Sequence, residues 1–164
     1  MTDSTTPALA RLVEAQAASG QPEATLAAVC HALGAAPGHR LFTVLVHDPA
    51  AGLVRRAYSN RPAEYPVGGA KPVTDTDWAR RVLRRGEPYL ARTMDDIRSV
   101  FFDHALIRSL GCESALCLPV RWNGAVLAAL NLLHESGRYD AVDPAPLLPL
   151  AQCALPAVLA LQEA

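Results

Sequence analysis

Lysine is nearly missing from this chain of 164 residues: Lys71 stands alone against fourteen arginines. Acidic and basic side chains almost cancel, leaving a formal net charge of −1. A surface so close to neutral has no electrostatic footprint for a phosphate backbone, so nucleic acid is not an expected partner. Arg80, Arg81, Arg84 and Arg85 form a local basic cluster, but Asp75, Asp77 and Glu87 flank it, which reads as a solvated helix face. No run reaches the roughly 18 apolar residues that a membrane-spanning helix needs, and no membrane partner is expected. The N-terminal MTDSTTPALA lacks a basic segment followed by an apolar core. It does not read as a signal peptide, and a cytoplasmic location is expected.

Cysteine is also sparse. Cys30, Cys112, Cys117 and Cys153 match neither a CxxC redox pair nor a zinc-site spacing. In a cytoplasmic setting they are expected to be free thiols. The five histidines are scattered. Gly68–Gly69 neither directly follows a strand nor opens a helix as a phosphate-cradling loop requires. No metal and no cofactor are therefore implied.

What the chain does have is apolar bulk: 51% of it is hydrophobic, enough for one well-cored domain and too short for two. Pro7 to Ser19 reads as a helix with a narrow stripe of Leu9, Leu12, Val13 and Gln16–Ala17. Gly20 breaks it, and Pro22 opens a second helix with Leu26, Val29, Cys30 and Leu33 inside. The period then changes. Arg40–His47 and Leu53–Ser59, rich in β-branched residues around a Pro49–Gly52 turn, read as a β-hairpin. A helix follows from the Thr74–Asp77 cap to Arg85, then a short edge strand over Pro88–Ala91. Thr93, Asp95 and Asp96 start a single helix through IRSVFFDHALIRSL. Ser114–Trp122 and Ala125–Glu135 flank Asn123–Gly124, a strong hairpin signal. Asp143–Pro144 opens a last helix, interrupted by Pro149 and Pro156. This order predicts an α+β domain on an antiparallel sheet of about five to six strands. One domain over 1–164 is expected: a helical hairpin over 1–36, sheet and pocket over 40–135, and a C-terminal helix over 143–163.

Aromatic residues make up only 5% of the chain, yet Tyr58, Tyr65 and Trp78 fall in the one long segment without periodicity, YSNRPAEYPVGGAKPVTDTDW. Disordered segments avoid aromatics, so this reads as an ordered loop closing over a ligand. A plain surface connection covering a sheet edge is the alternative.

The element order, FTVLVHD opening the first strand and LPVRWNGAVLAALNLLH forming the last hairpin together resemble the GAF domain family, small-molecule sensor modules of regulatory proteins. The resemblance implies terminal helices on one sheet face and a ligand under loops and short helices on the other. Tyr58–Trp78 and the helix over Asp95–Leu110 fall at that cover. Of the motif carried by cyclic-nucleotide-binding members, Asn131, Tyr139 and Asp143 remain recognisable. Leu132 replaces its lysine and Pro144 its glutamate, so cyclic-nucleotide binding is not carried over. Bilin-binding members use a Cys beside a His in the pocket helix. Here Asp103–His104 stand there without a cysteine, which argues against a covalent bilin.

The ligand-binding candidates are Tyr58, Arg61, Tyr65, Lys71, Trp78, Phe101, His104, Asn131 and His134. Arg61, Lys71 and His104 are donors, and Tyr58, Tyr65 and Trp78 supply flat surfaces with hydrogen-bonding groups. Such a set suits an anionic or strongly accepting small molecule, with apolar walls and a few convergent polar groups. His104 shares a helix face mainly with Phe101. Asn131 and His134 lie at odd separation on one strand and point to opposite faces, so only one can line the pocket. A non-covalent sensor domain without enzymatic activity is the expected function. A pure interaction module with a filled pocket is one alternative. A thiol enzyme like the family's free methionine sulfoxide reductases is another, with Cys112 as the reactive candidate. The last segment carries Leu147, Leu150, Ala154, Leu155 and Val158 on one side and Leu148 and Leu159 toward the other. Such an all-round apolar helix points to a homodimer through the terminal helices.

Overall fold

The computed structural model describes residues 2–164, with side chains from Ser4 onward. Met1, first residue of the hairpin read over 1–36, lies outside them. Two N-terminal helices, α1 (Thr2–Ala17) and α2 (Glu23–Ala35), precede strands β1 (Leu41–Asp48) and β2 (Leu53–Ser59). After them come β3 (Ala70–Pro72), a π-helical segment (Ala79–Arg84) and β4 (Tyr89–Ala91). Two short helices, α3 (Met94–Val100) and α4 (His104–Ser109), lead to β5 (Ser114–Trp122) and β6 (Ala125–His134). A 3-10 turn (Ala145–Leu147), α5 (Leu148–Gln152) and α6 (Leu155–Gln162) complete the chain. The six strands form one antiparallel sheet in the order β3-β2-β1-β6-β5-β4, the α+β architecture expected from the sequence.

Both sheet faces are covered. On one, Phe42, Val44, Leu118, Leu130 and Leu132 meet Leu12, Leu26, Val29 and Leu33 of the N-terminal helices and Leu150, Ala154 and Val158 of the C-terminal ones. On the other, Leu41, Leu45, Ala129 and Leu133 pack under Tyr65, Trp78, Val82, Ile97 and Ile107. An antiparallel sheet with one wet face would alternate apolar and polar residues; double cover removes that need, and β5 and β6 are buried almost continuously. The β5–β6 connection is made by Asn123 and Gly124, at φ of 51° and 78°, the left-handed pair that a two-residue hairpin requires.

Four local readings change. The segment over 58–78 contains the three-residue strand β3, whose Lys71 pairs with Val54 of β2. The helix read from the Thr74–Asp77 cap to Arg85 is present, with Thr76 Oγ1 accepting from the Ala79 amide at 3.1 Å, but it is π-helical over Ala79–Arg84. The single helix read through IRSVFFDHALIRSL is broken into α3 and α4 because Phe101 is extended, at φ −107° and ψ 118°. Phe101 and Asp103 face inward together, while Phe102 points out at 75% exposure.

The C-terminal apolar segment is the fourth. Its two arms, Ala145–Gln152 and Leu155–Gln162, are bent by 48°, and no single described helix is long and apolar enough to cross a membrane. Leu147, Leu150, Ala154 and Val158 are buried within the chain, and Leu148, Leu155 and Leu159 pack partly against the same core. The sides expected to need a partner's cover are therefore largely covered by α1, α2 and the sheet.

One irregularity decides which residues face which layer. Val44 pairs with Tyr58 and Leu45 with Arg56, so Ala57 is an extra residue on β2. Such a β-bulge shifts the side-chain alternation by one. Arg56 and Tyr58, two apart and otherwise on one side, are sent to opposite faces. Deleting Ala57 puts one of them on the wrong face. We expect a loss of at least about 3 kcal/mol in urea unfolding, the scale of breaking a largely buried charge pair.

Candidate functional site

The face opposite the terminal helices holds a charged group on an otherwise apolar surface. Arg56 donates through Nη2 to Asp103 Oδ2 at 3.1 Å, both side chains being mostly buried at 17% and 14% exposure. Its guanidinium lies 3.8 Å over the Tyr65 ring and donates through Nη1 to the Pro66 carbonyl at 2.8 Å. The Tyr65 hydroxyl donates to the same Asp103 oxygen. Burial and the Asp103 charge both push the Tyr65 hydroxyl's pKa up. β2 and the loop that follows it are thus tied to the distant turn before α4 at one carboxylate.

Beside this cluster lies a chamber of about 20 Å³, lined in part by Thr43, Arg56, Lys71, Phe101, Asp103 and Asn131. That volume holds about one water. Leu45, Lys71 and Phe101 separate it from a groove of about 380 Å³ whose walls include Val54, Val73, Trp78 and Phe102. Lys71 Nζ sits 4.1 Å over the Phe102 ring. Burial lowers the Lys71 pKa, Asp103 pulls it back up, and Arg56 adds to the lowering. One carboxylate thus faces two cations.

Among the described residues, four buried side-chain polar atoms lack a nitrogen or oxygen partner in the protein: His39 Nδ1, Arg56 Nε, Trp78 Nε1 and Asn131 Oδ1. Trp78 has the Cys117 sulfur as its hydrogen-bonding neighbour, which leaves Arg56 and Asn131 as the two that line the chamber. Asn131 keeps one long bond, Nδ2 to Thr43 Oγ1 at 3.4 Å.

Five of the sequence candidates meet here: Tyr65, Lys71, Trp78, Phe101 and Asn131. Four do not. Tyr58 is on the helix face, edge-on to Phe42 at 6.0 Å, because of the Ala57 bulge. Arg61 is at the surface, 3.5 Å from Glu64. His104 opens α4 and lines neither cavity. His134, three residues from Asn131, faces the other way, edge-on to Tyr139 at 6.5 Å, with Nδ1 accepting from the Glu135 amide at 2.8 Å. The Asn131–Tyr139–Asp143 motif is dispersed in the same manner: Tyr139 donates to the Gly38 carbonyl and Asp143 accepts from the Ala145 amide.

The residues missed from sequence are Arg56, Asp103 and Thr43. The available signal was the pair Arg55–Arg56 inside a strand, since a covered strand does not carry two adjacent charges without partners.

Cys112, read as the reactive thiol, is fully buried. Burial pushes its thiol up to about 11, Arg40 acting against it, and pushes Cys117 up to about 12, with Trp78 acting against it. Nucleophilic thiols need the opposite shift.

The family model for the GAF domain matches residues 20–154. No match is found among curated proteins. Among solved structures, the GAF domain of an Acinetobacter phosphoenolpyruvate-protein phosphotransferase superposes with a TM-score of 0.73 at 14% identity, covering 97% of this chain and 95% of that one. A domain of a putative two-component sensor histidine kinase from Sinorhizobium meliloti gives 0.60 at 17%, covering 88% and 93%. The free methionine-R-sulfoxide reductase of Neisseria meningitidis gives 0.60 at 17%, covering 85% and 79%. At these identities the likeness establishes the fold.

The thiol finding has a direct check. In the folded protein at pH 8, iodoacetamide should alkylate Cys112 and Cys117 roughly a hundredfold more slowly than in urea, since burial suppresses the thiolate. Peptide mass mapping over time reads this out.

Proposed function

Because the chain belongs to the GAF domain family, whose members are sensor and regulatory domains, we propose that it is a regulatory domain that binds a small anionic or strongly accepting molecule non-covalently. The observation that carries this is the pair of unpartnered buried polar atoms, Arg56 Nε and Asn131 Oδ1, at one chamber that adjoins the groove. Buried polar groups are almost always satisfied, so such a pair points to a ligand or water that completes it. The groove's volume is within the range of small-molecule sites. Its walls are mostly apolar, and the charge a ligand meets there is Lys71, left as a surplus of one positive charge because Asp103 is paired with Arg56 in the chamber behind. A carboxylate or a comparable acceptor answers that surplus.

A second reading has its own support. The inner chamber is small enough to be a filled remnant, which suits a module that works through protein contacts. A thiol reductase is disfavoured by the raised thiols.

The test is a thermal-shift screen of small carboxylates, phosphates and neutral analogues, followed by titration of variants. Lys71→Ala should weaken the best anion about tenfold or more, the cost of one charge-assisted bond. Arg61→Ala, at the surface, should leave it unchanged. A neutral apolar compound binding best, with Lys71→Ala indifferent, rejects the anion reading.

The domain is also proposed to act as a homodimer through its terminal helices. Support comes from two separate apolar features of the terminal helices: Val13 of α1 is 58% exposed, and a groove of about 630 Å³ is walled by Ala8, Ala28 and Ala32. Light scattering at micromolar concentration should give a dimer mass, and Val13→Glu should shift it toward the monomer. A monomeric parent rejects this arrangement.

A further inference from the structure

β2 touches both the candidate site and the end of the last helix. Arg56 turns to the pocket face and is held by Asp103, Tyr65 and the Pro66 carbonyl. Its neighbour Arg55 turns to the helix face and donates through Nη2 to the Leu161 carbonyl at 3.0 Å. Carbonyls in the last turn of a helix have no partner inside it, and a cation there is favoured by the helix dipole. Gln162 Nε2 adds a second tie, to the His47 carbonyl of β1 at 2.7 Å. His47 is paired with Val54, so both ties anchor the end of α6 to the β1–β2 hairpin.

The two arginines share a peptide plane, and the bulged Ala57 follows them directly. A bulge bends a strand locally and raises its twist without dissolving the pairing on either side. It is therefore the joint at which residues 53–56 can tilt against Tyr58 and Ser59. We infer that the partner held by Arg56 sets this tilt, and that the tilt sets whether Arg55 reaches the Leu161 carbonyl. Such coupling requires two states: the bonded Arg55 of this structure and, as part of the inference, a released one. Occupancy of the pocket is thereby read at the C-terminal end of α6, about a sheet's thickness away. The inference rests on the ligand reading only for its trigger; the link between the arginines is a property of the protein alone.

The experiment is amide hydrogen exchange by mass spectrometry on the parent, Asp103→Asn, Arg55→Ala and the double variant. Amides of Leu116, Cys117 and Leu118 in the core serve as the reference for global unfolding. Asp103→Asn removes the charge on Arg56's partner. It should speed exchange over residues 158–162 roughly three- to tenfold relative to that reference, the scale of one charge-assisted bond. Arg55→Ala should speed the same amides by itself, and adding Asp103→Asn to it should change nothing further, which is the signature of a shared path. If Asp103→Asn does not fold, Arg56→Lys replaces it, with the same readouts. Unmoved exchange over 158–162, or an equal rise with and without Arg55, overturns the inference. Neither result depends on a ligand, so a failed thermal-shift screen rejects the ligand reading while this link is judged separately.

Discussion

A guanidinium on a sheet face buried under other chain segments must be answered, because an unpaired buried charge is among the costliest features a fold can carry. Here Asp103 answers Arg56, and much of the pocket side is arranged around that requirement. Asp103 reaches inward because the chain is extended at Phe101, which divides the helical cover into α3 and α4. The same carboxylate takes the Tyr65 hydroxyl, and Arg56 takes the Pro66 carbonyl, so the segment between β2 and β3 is held down at two points. The pair also sets the electrostatics: with Asp103 committed to Arg56, Lys71 is left to the Phe102 ring and to the groove.

The helix side is built on another logic. Its contacts are apolar and spread over many residues, and its polar groups close on backbone, as Tyr139 does on Gly38 and Gln162 on His47. That layer supplies stability. The pocket side holds a small number of concentrated polar contacts, with Arg56 Nε and Asn131 Oδ1 left unpartnered at the chamber. A sensor needs this asymmetry: a dense layer that keeps its shape and a sparse one whose energy changes when a small molecule supplies the missing partners.

Several elements were legible in the chain itself. Asn123–Gly124 can hardly be anything but a hairpin turn, and Thr93 with Asp96 forms the capping box that its spacing announces. Lys71, Tyr65 and Trp78 were recognisable because their segment had aromatics and a unique lysine where a connection needs neither. Others were illegible for identifiable reasons. Tyr58 was assigned to the pocket by position, and a single bulged residue moved it to the other face. Asn131 and His134 could be told to diverge, but parity gives only relative direction, and the packing of Tyr139 against His134 settled which faced which layer.

Composition and periodicity by themselves determined the kind and order of most elements and an antiparallel α+β layout, though not β3 or the break between α3 and α4, because propensity, capping and turn chemistry act within a few residues. The family entered as a resemblance carried by the element order and the motifs FTVLVHD and LPVRWNGAVLAALNLLH, and the family match over residues 20–154 shows it. Tertiary structure alone decided that Arg56, Asp103, Tyr65, Lys71 and Asn131 converge, since they come from five separate segments. It also decided that Cys112 is buried and poorly ionised, and that the C-terminal apolar segment is covered largely within its own chain. Convergence and cover depend on pairing register and on which layer closes over which face. Those are set by long-range packing, to which local sequence contributes only the bulge and the break that make the geometry possible.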